Sequence, residues 1–166
     1  MGMGPLHSNK ENKRKMTILG LDLAIHCGYS VCQSGQIIAS GVWDFSNTRK
    51  NGHNGHLFVA LSRYIDDLCV CYSIDHIRYE RSHFRGGAST RIGVGMSSTV
   101  LAYCASNNIP VSDIPTLTLK KWATGTGKSD KAMMMAEAEK RTGKHYESDD
   151  EADAVLISLS AYETLL

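Results

Sequence analysis

The sequence predicts an α/β protein with a five-stranded mixed sheet flanked by helices on both faces. Three strand-like runs follow one another near the N-terminus with only short turns between them, which is typical of antiparallel pairing. Two later strand-like runs each follow a helical segment, and crossovers of that kind favour parallel pairing. The length of 166 residues fits one folded domain, predicted at residues 16–166, after a basic disordered arm at residues 1–15.

The first strand is predicted at residues 17–23, which are apolar on both faces apart from Asp22. A short run rich in Ile and Leu indicates a strand in the middle of the sheet. Residues 29–33 and 36–45 are predicted to form the second and third strands, joined by a Ser-Gly turn. The three runs together predict an antiparallel meander.

The rest of the chain alternates between helices and strands. Leu57, Leu61 and Ile65 recur at helical spacing, so an amphipathic helix is predicted over residues 55–72. The remaining predicted elements are a strand at 75–80, a helix at 90–107, a strand at 109–114, a short helix from 115, a helix capped by Ser129 that runs to about 141 and a helix capped by Ser148 that runs to about 164.

Two helices carry patterns with further consequences. The helix at 90–107 contains Gly93 and Gly95, and such small residues permit close approach of another backbone or leave room for a ligand. This helix is a candidate dimer face. The positions expected to face the core are Met96, Val100, Leu101 and Cys104 in this helix, Met133, Met134 and Ala138 in the next long helix, and Ala152, Val155, Leu156 and Leu159 in the last.

Composition excludes several classes of protein. No apolar stretch is long enough to cross a bilayer, and the first residues lack the apolar core of a signal peptide, so a cytoplasmic location is expected. The five cysteines lack the paired spacing of a zinc site and are expected to be reduced. The net charge is only +1, but basic residues cluster at residues 10–15, 78–91 and 120–131 and acidic residues at 147–153, so local fields can be strong.

Four carboxylates could meet at one end of the predicted sheet. Asp22 lies in the buried first strand, where an ionised group is costly without a compensating positive charge. Glu80 ends the fourth strand, and Asp150 and Asp153 are three residues apart on one face of the last helix. Four carboxylates would repel one another unless divalent cations were bound, and oxygen ligands favour Mg²⁺ or Mn²⁺. Two such ions about 3.5–4 Å apart can activate water and stabilise a leaving oxygen on phosphorus.

Each carboxylate also has a simpler interpretation. Asp22 could cap a backbone turn, and Asp150 and Asp153 could be favourable charges at a helix N-terminus. Glu80 could pair with a neighbouring arginine, either Arg78 or Arg81. Asp149 and Glu151 compete with Asp150 for the same position. Taken singly, each alternative stays open, but the four carboxylates together with the flanking basic clusters favour a metal site.

Several segments, in the same order, resemble the phage branch of the RuvC-type crossover-junction endonucleases. The resemblance extends from about residue 17 to 160 and so covers nearly the whole predicted domain. The segments that carry it are 21–24 (LDLA), 28–29 (GY), 40–45 (SGVWDF), 79–80 (YE), 85–87 (RGG), 120–131 (KKWATGTGKSDK) and 150–154 (DEADA).

The resemblance implies an RNase H-like fold and a dimeric, Mg²⁺-dependent endonuclease that nicks four-way (Holliday) DNA junctions in recombination and repair, with two ions in each active site, Mn²⁺ able to substitute, and a bacterial host cytoplasm as its location. It places metal ligands at Asp22, Glu80, Asp150 and Asp153, and a basic residue near the scissile phosphate at Lys131. The residues expected to contact DNA are Arg81, Phe84, Arg85, Arg91, Lys120, Lys121 and Lys128.

The chain departs from the family pattern in two places. The family often carries a lysine shortly after the first aspartate, where this chain has Ile25, His26 and Cys27. Bacterial members carry an aromatic residue three positions after the glutamate, where this chain has His83 with Phe84 next to it. Phe84 could therefore stack on a base or lie in the core.

Our functional hypothesis is hydrolysis of a DNA phosphodiester by an activated water. A first alternative keeps the fold and changes the substrate to flaps, forks or RNA–DNA hybrids. A second is a protein that binds branched DNA without cutting it. A third is an actin-like or sugar-kinase ATPase, which is disfavoured because that architecture needs two such domains.

Overall fold

The sheet has five strands in this computed structural model, which describes residues 15–48, 53–81 and 86–166. In chain order the strands are β1 (Thr17–Asp22), β2 (His26–Gln33), β3 (Gln36–Asp44), β4 (His76–Glu80) and β5 (Val111–Ile114). Across the sheet they lie in the order β3-β2-β1-β4-β5. The pairs β1–β2 and β2–β3 are antiparallel, and the pairs β1–β4 and β4–β5 are parallel. The predicted mixed sheet is therefore confirmed.

Helices cover both faces of the sheet. In chain order they are α1 (Gly55–Tyr72), α2 (Ala88–Asn107), α3 (Thr116–Thr124), α4 (Lys131–Thr142) and α5 (Asp149–Leu165). On one face, α1 and α2 pack on Leu19 and Leu21 of β1. On the other face, α3, α4 and α5 form a second core that includes Met134 and Leu156. Burial of these apolar side chains is the main force that holds the layers together.

The start of α4 differs from the prediction. Ser129 was expected to cap this helix, but the cap is Asp130, whose Oδ1 accepts a hydrogen bond from the Met133 amide at 2.9 Å. The Ser129 hydroxyl is instead buried, and it donates to the Thr126 carbonyl at 2.8 Å. Both residues are good caps, so the contacts of the Ser129 hydroxyl within its own loop decide between them.

Two expected core positions were wrong. Leu101 of α2 is 46% exposed and Met133 of α4 is 44% exposed, whereas the other predicted core residues of these two helices are buried. A narrower apolar stripe than the one predicted is enough here, because each helix contacts the core along one line. The last helix follows its prediction, with Ala152, Val155 and Leu156 fully buried.

Two glycines let α5 lie directly on the sheet. A Cβ atom at Gly28 would be 1.8 Å from the Asp150 carbonyl oxygen, and one at Gly20 would be 2.5 Å from the Ala154 carbonyl oxygen. Any side chain at either position would therefore push the helix away from β1 and β2. The close approach also brings Ser158 within 3.0 Å of Ser30, where the two buried hydroxyls share a hydrogen bond. The N-terminal turns of α5 are thus fixed above the end of β1.

Some predictions lie outside the described residues. These are the disordered arm, apart from Lys15, and the roles of His83, Phe84 and Arg85. In the described part, all five cysteines are free, as expected, although Cys71 is exposed. No helix among the described residues is both long enough and apolar enough to cross a membrane.

Candidate active site at the carboxyl ends of β1 and β4

The parallel register of β1 and β4 places two carboxylates side by side. Leu21 pairs with Tyr79, so Asp22 and Glu80 are the next residues on the two neighbouring strands. Because parallel strands end at the same edge of a sheet, both side chains belong to that edge. The strand register therefore brings these two carboxylates together, as the sequence predicted.

The last helix adds two further carboxylates to this edge. Ser148 caps α5 by accepting a hydrogen bond from the Glu151 amide at 3.4 Å, which fixes where the helix begins. Asp150 and Asp153 then follow in its first turns, at the point where Gly28 allows the backbone of α5 to touch β2. We call the set Asp22, Glu80, Asp150 and Asp153 the carboxylate site.

Electrostatics link the members of the carboxylate site. Burial raises the pKa of Asp22 well above its usual range, and the charges of Glu80, Asp153 and Asp150 raise it further. Burial also raises the pKa of Asp153, to about 7, with Glu80 as the next contributor. Burial raises the pKa of Asp150 as well, while Lys131 and His26 act in the opposite direction. Unpaired acids with such shifts are typical of sites that bind a cation or handle protons.

The carboxylates are near one another without enclosing a common point. Within residues 15–48, 53–81 and 86–166, no three side chains of His, Cys, Asp or Glu are arranged to ligate one metal ion. Rotation of these side chains would be needed to enclose an ion, so their role as ligands stays a prediction.

Two simpler interpretations of the carboxylates are wrong. Asp22 does not cap a turn, since no described residue donates a hydrogen bond to its side chain. Glu80 pairs with neither nearby arginine, because its Oε1 accepts a hydrogen bond from the Thr116 hydroxyl. Arg78 is buried and donates to Ser112 and Thr164, at 3.0 Å and 2.9 Å.

The basic residue predicted near the scissile phosphate has a partner that the sequence did not reveal. Lys131 is the first residue of α4, and its ammonium forms an ion pair with Asp149, the first residue of α5. That contact lowers the pKa of Asp149 and raises the pKa of Lys131. Asp149 is therefore engaged with a cation, unlike its neighbour Asp150. No sequence spacing signals this pair, because the two helices meet only in the folded chain.

A second predicted cation is held beside the carboxylate site. The ammonium of Lys120 donates to the Ser129 carbonyl at 2.7 Å, which ties α3 to the loop before α4. The positive charge of Lys120 also offsets part of the rise in the pKa of Asp153. The hydroxyls of Thr124 and Ser129 hydrogen-bond within the same loop, so the segment that leads to Lys131 is held by side-chain contacts at several points.

The other predicted DNA contacts lie in different surroundings. Arg81 is bound to Asp113 at 2.5 Å, and this ion pair lowers the pKa of Asp113. Arg91, Lys121 and Lys128 are exposed, on α2, on α3 and in the loop before α4. Their exposure is compatible with phosphate contacts, but their role also stays a prediction.

Comparison with proteins of known function finds relatives that all carry the same name, crossover junction endodeoxyribonuclease RuvC. No protein-family model matches the chain. The chain is 28% identical over 152 residues to the crossover junction endodeoxyribonuclease RuvC of Brachyspira hyodysenteriae, which covers 87% of this chain and 92% of that protein. It is 31% identical over 124 residues to the RuvC of Mycolicibacterium vanbaalenii, which covers 72% of this chain and 63% of that protein.

Solved structures of similar fold agree with these relatives. The structure of Thermus thermophilus RuvC in complex with a Holliday junction substrate matches 90% of this chain and 94% of that chain, with a TM-score of 0.76 and 16% identity. The fowlpox virus resolvase in complex with substrate Holliday junction DNA matches 91% of this chain and 99% of that chain, with a TM-score of 0.59 and 18% identity. At these identities the structures show a shared fold, which is the RNase H-like arrangement expected from the sequence.

Proposed function

We propose that this chain, a homologue of the RuvC-type Holliday junction resolvases, is a structure-specific endonuclease that cuts four-way DNA junctions by metal-dependent phosphodiester hydrolysis. The observation that carries the proposal is the carboxylate site. Its four members come from β1, β4 and α5, and Asp22 is half-buried there with no ion pair from any described residue. Such an arrangement is costly for folding alone and is explained by a bound cation.

The donor set fits hard divalent cations. All four side chains offer carboxylate oxygen, and Mg²⁺ and Mn²⁺ prefer oxygen ligands. Burial raises the pKa of Asp22 and of Asp153, and neighbouring carboxylates raise both further, so a bound cation would offset both effects. We assign all four residues as ligands of two Mg²⁺ ions. When bound, the ions would supply an activated water and would neutralise charge on the phosphate.

The protein's own residues would position the substrate and balance its charge. Lys131 stands at the N-terminus of α4 with Asp149, and its exposed ammonium can turn to a phosphate oxygen at the carboxylate site. Lys120, held by the Ser129 carbonyl, adds a fixed positive charge next to Asp153. Fixed cations stabilise charge that develops in a reaction, because they need not reorganise.

The wider surface would hold the DNA through its backbone. Exposed cations at Arg91, Lys121 and Lys128 would contact phosphates, together with Arg81 once it leaves Asp113. From their places in the sequence after Glu80, we propose that Arg85 contacts a phosphate and that Phe84 contacts a base. Contacts of this kind bind junctions without reading sequence and weaken steeply with salt.

Symmetric cutting of a junction requires two active sites, so we propose that the active form is a homodimer. We assign the exposed side of α2 to the dimer interface, with Val94 and Leu101 as apolar contacts. One small residue of this helix has another role, because Gly95 packs against the ring of Phe58 on α1. From the segments quoted for the family resemblance, we infer that the protein belongs to the phage branch and acts in a bacterial host cytoplasm.

Cleavage of labelled junctions by an Asp22→Asn variant tests the proposal. Wild-type protein should nick a four-way junction in Mg²⁺ at symmetric positions, and faster than it cuts a flap, a fork or an RNA–DNA hybrid. Asp22→Asn should bind the same junction but cut it slower by roughly 10³-fold, since metal-ion catalysis is worth several kcal/mol.

The matched control is Asp67→Asn, which makes the same chemical change at an exposed position on α1. This variant should cut like wild-type protein. Normal cutting by Asp22→Asn would overturn the metal assignment, and binding without cutting by the wild-type protein would overturn the assignment as an enzyme.

A further inference from the structure

We propose that Thr116 is a positioning residue for Glu80, which it holds ready to bind a metal ion. The inference rests on the proposed function, because it assumes that Glu80 is a ligand. It comes from one contact, in which the Thr116 hydroxyl donates a hydrogen bond to Oε1 of Glu80. An ionised carboxylate only accepts hydrogen bonds, so the hydroxyl must be the donor.

The backbone explains why these two side chains meet. Glu80 is the last residue of β4 and pairs with Ile114 of the parallel strand β5. The chain then passes through Pro115, whose φ of −64° and ψ of 141° lead directly into α3. Thr116 is the first residue of that helix, so its side chain lies beside the end of β4. The contact therefore depends on the sheet register and the sharp entry into the helix.

The hydroxyl of Thr116 is not used to cap its own helix. The capping position of α3 is Pro115, which has no side-chain capping bond. A threonine side chain has few rotamers, so its hydroxyl is directed with little loss of freedom. Thr116 uses that fixed direction to bind another element of the fold.

The consequence is a carboxylate with one oxygen engaged and the other available. Within the described residues, the Thr116 hydroxyl is the hydrogen-bond donor that contacts the Glu80 side chain, and the nearby arginines bind elsewhere. Oε1 is thus engaged by Thr116, and Oε2 has no hydrogen-bond donor among the described residues. Partners of metal ligands commonly orient the ligand in this way, and their loss costs about 10- to 100-fold in metal affinity or activity.

Binding of Mn²⁺ to the DNA-free protein, measured by titration calorimetry, tests the role of Thr116. Thr116→Val keeps the branched shape but removes the donor, and it should weaken Mn²⁺ affinity by about 10-fold. Thr116→Ser keeps the hydroxyl and should stay within about twofold of wild-type protein. Thr118→Val is the matched control on the same helix, where Thr118 is exposed, and it should bind Mn²⁺ as wild-type protein does.

The outcomes separate this inference from the proposed function. Equal Mn²⁺ affinity of Thr116→Val and wild-type protein would overturn the role of Thr116, and so would equal losses in the Val and Ser variants. A lower melting temperature of Thr116→Val with unchanged affinity would show that the contact is only structural. Asp22→Asn, titrated alongside, should lose Mn²⁺ binding, and its failure to do so would overturn the metal site itself. If Thr116→Val does not fold, Thr116→Ala makes the same comparison.

Discussion

Carboxylates of two kinds lie at the same edge of the sheet. On the rim, Asp113 pairs with Arg81 and Asp149 pairs with Lys131, and each ion pair lowers the pKa of its carboxylate. In the centre, which is the carboxylate site, Asp22 and Asp153 are half-buried, and their partial burial together with neighbouring acids raises their pKa. Within the described chain, the central carboxylates have no ion pair.

The difference shows that positive side chains are available at this edge but do not neutralise its centre. Lys131 reaches Asp149 rather than the adjacent Asp150, and Arg81 reaches Asp113 rather than Glu80. A site kept for its contribution to stability would pair its most buried acids first, because those are the costliest to leave charged. The observed order is the reverse, as expected if the centre binds cations from solution.

Separate substitution of two neighbouring aspartates, one in the centre and one on the rim, should give the largest difference in cleavage rate. Asp150→Asn removes a member of the carboxylate site and should slow junction cleavage by roughly 100-fold or more, by loss of a metal ligand. Asp149→Asn removes the rim partner of Lys131 and should change the rate by less than about fivefold, in line with an exposed ion pair. Single-turnover cleavage in Mg²⁺ measures both rates.

The reverse result would contradict the division into rim and centre. If Asp149→Asn were the slower variant, Asp149 would be the ligand and its ion pair with Lys131 would open in the active state. Lys131→Ala, assayed with them, should slow cleavage and leave Mn²⁺ affinity unchanged, because this residue is assigned to the phosphate rather than to the metal.

The sequence predicted the centre of this site better than its rim. Asp22 and Glu80 follow from strand order and register, since one carboxylate in a buried strand and one at the end of its neighbour must lie close together. Asp150 and Asp153 follow from the capping residue Ser148 and helical spacing. Each of these inferences uses a local sequence pattern that the folded structure retains.

The ion pairs of the rim form between side chains of different helices and strands. No local sequence pattern encodes contacts of this kind. Lys131 and Asp149 begin two separate helices, and Arg81 and Asp113 lie on or beside neighbouring strands. The same reason explains the unforeseen bond between Thr116 and Glu80, because such tertiary contacts override local propensity. The wrong cap at Ser129 has a local cause instead, since its hydroxyl is engaged within its own loop.

The melting temperature of the metal-free protein gives a second test of the difference between rim and centre, with a smaller expected effect. The pKa of Asp153 is about 7 in the folded protein against a reference value of 3.8, so the folded state holds this proton more tightly than the unfolded state. Stability from this group is therefore fully present below about pH 4 and is lost as pH rises to about 7. In EDTA, Asp153→Asn should raise the melting temperature by roughly 5 °C at pH 8 and by little at pH 4.

The rim variant Asp113→Asn should behave in the opposite way in the same melting experiment. Its carboxylate has a lowered pKa, so it contributes stability at neutral pH that is lost as the solution becomes acidic. The loss should be small because the pair with Arg81 is partly exposed. Added Mg²⁺ should stabilise wild-type protein and fail to stabilise Asp153→Asn. Equal pH profiles for both aspartate variants would contradict the comparison.

The smallest expected effect concerns an exposed cation near Lys131 in sequence that has no carboxylate partner among the described residues. Lys128 is exposed in the loop before α4, and no described residue forms an ion pair with it. Lys128→Ala should weaken junction binding by about threefold and reduce the slope of log affinity against log salt by about one. The control is Lys140→Ala, nine residues beyond Lys131 on α4, where the ammonium pairs with Glu137 at 3.7 Å. That position is about 13 Å further along the helix axis, so its loss should leave the salt slope unchanged. Equal slopes for the two variants would show that DNA does not cross this side of the carboxylate site, and the rim would then serve only to hold Lys131 and Arg81.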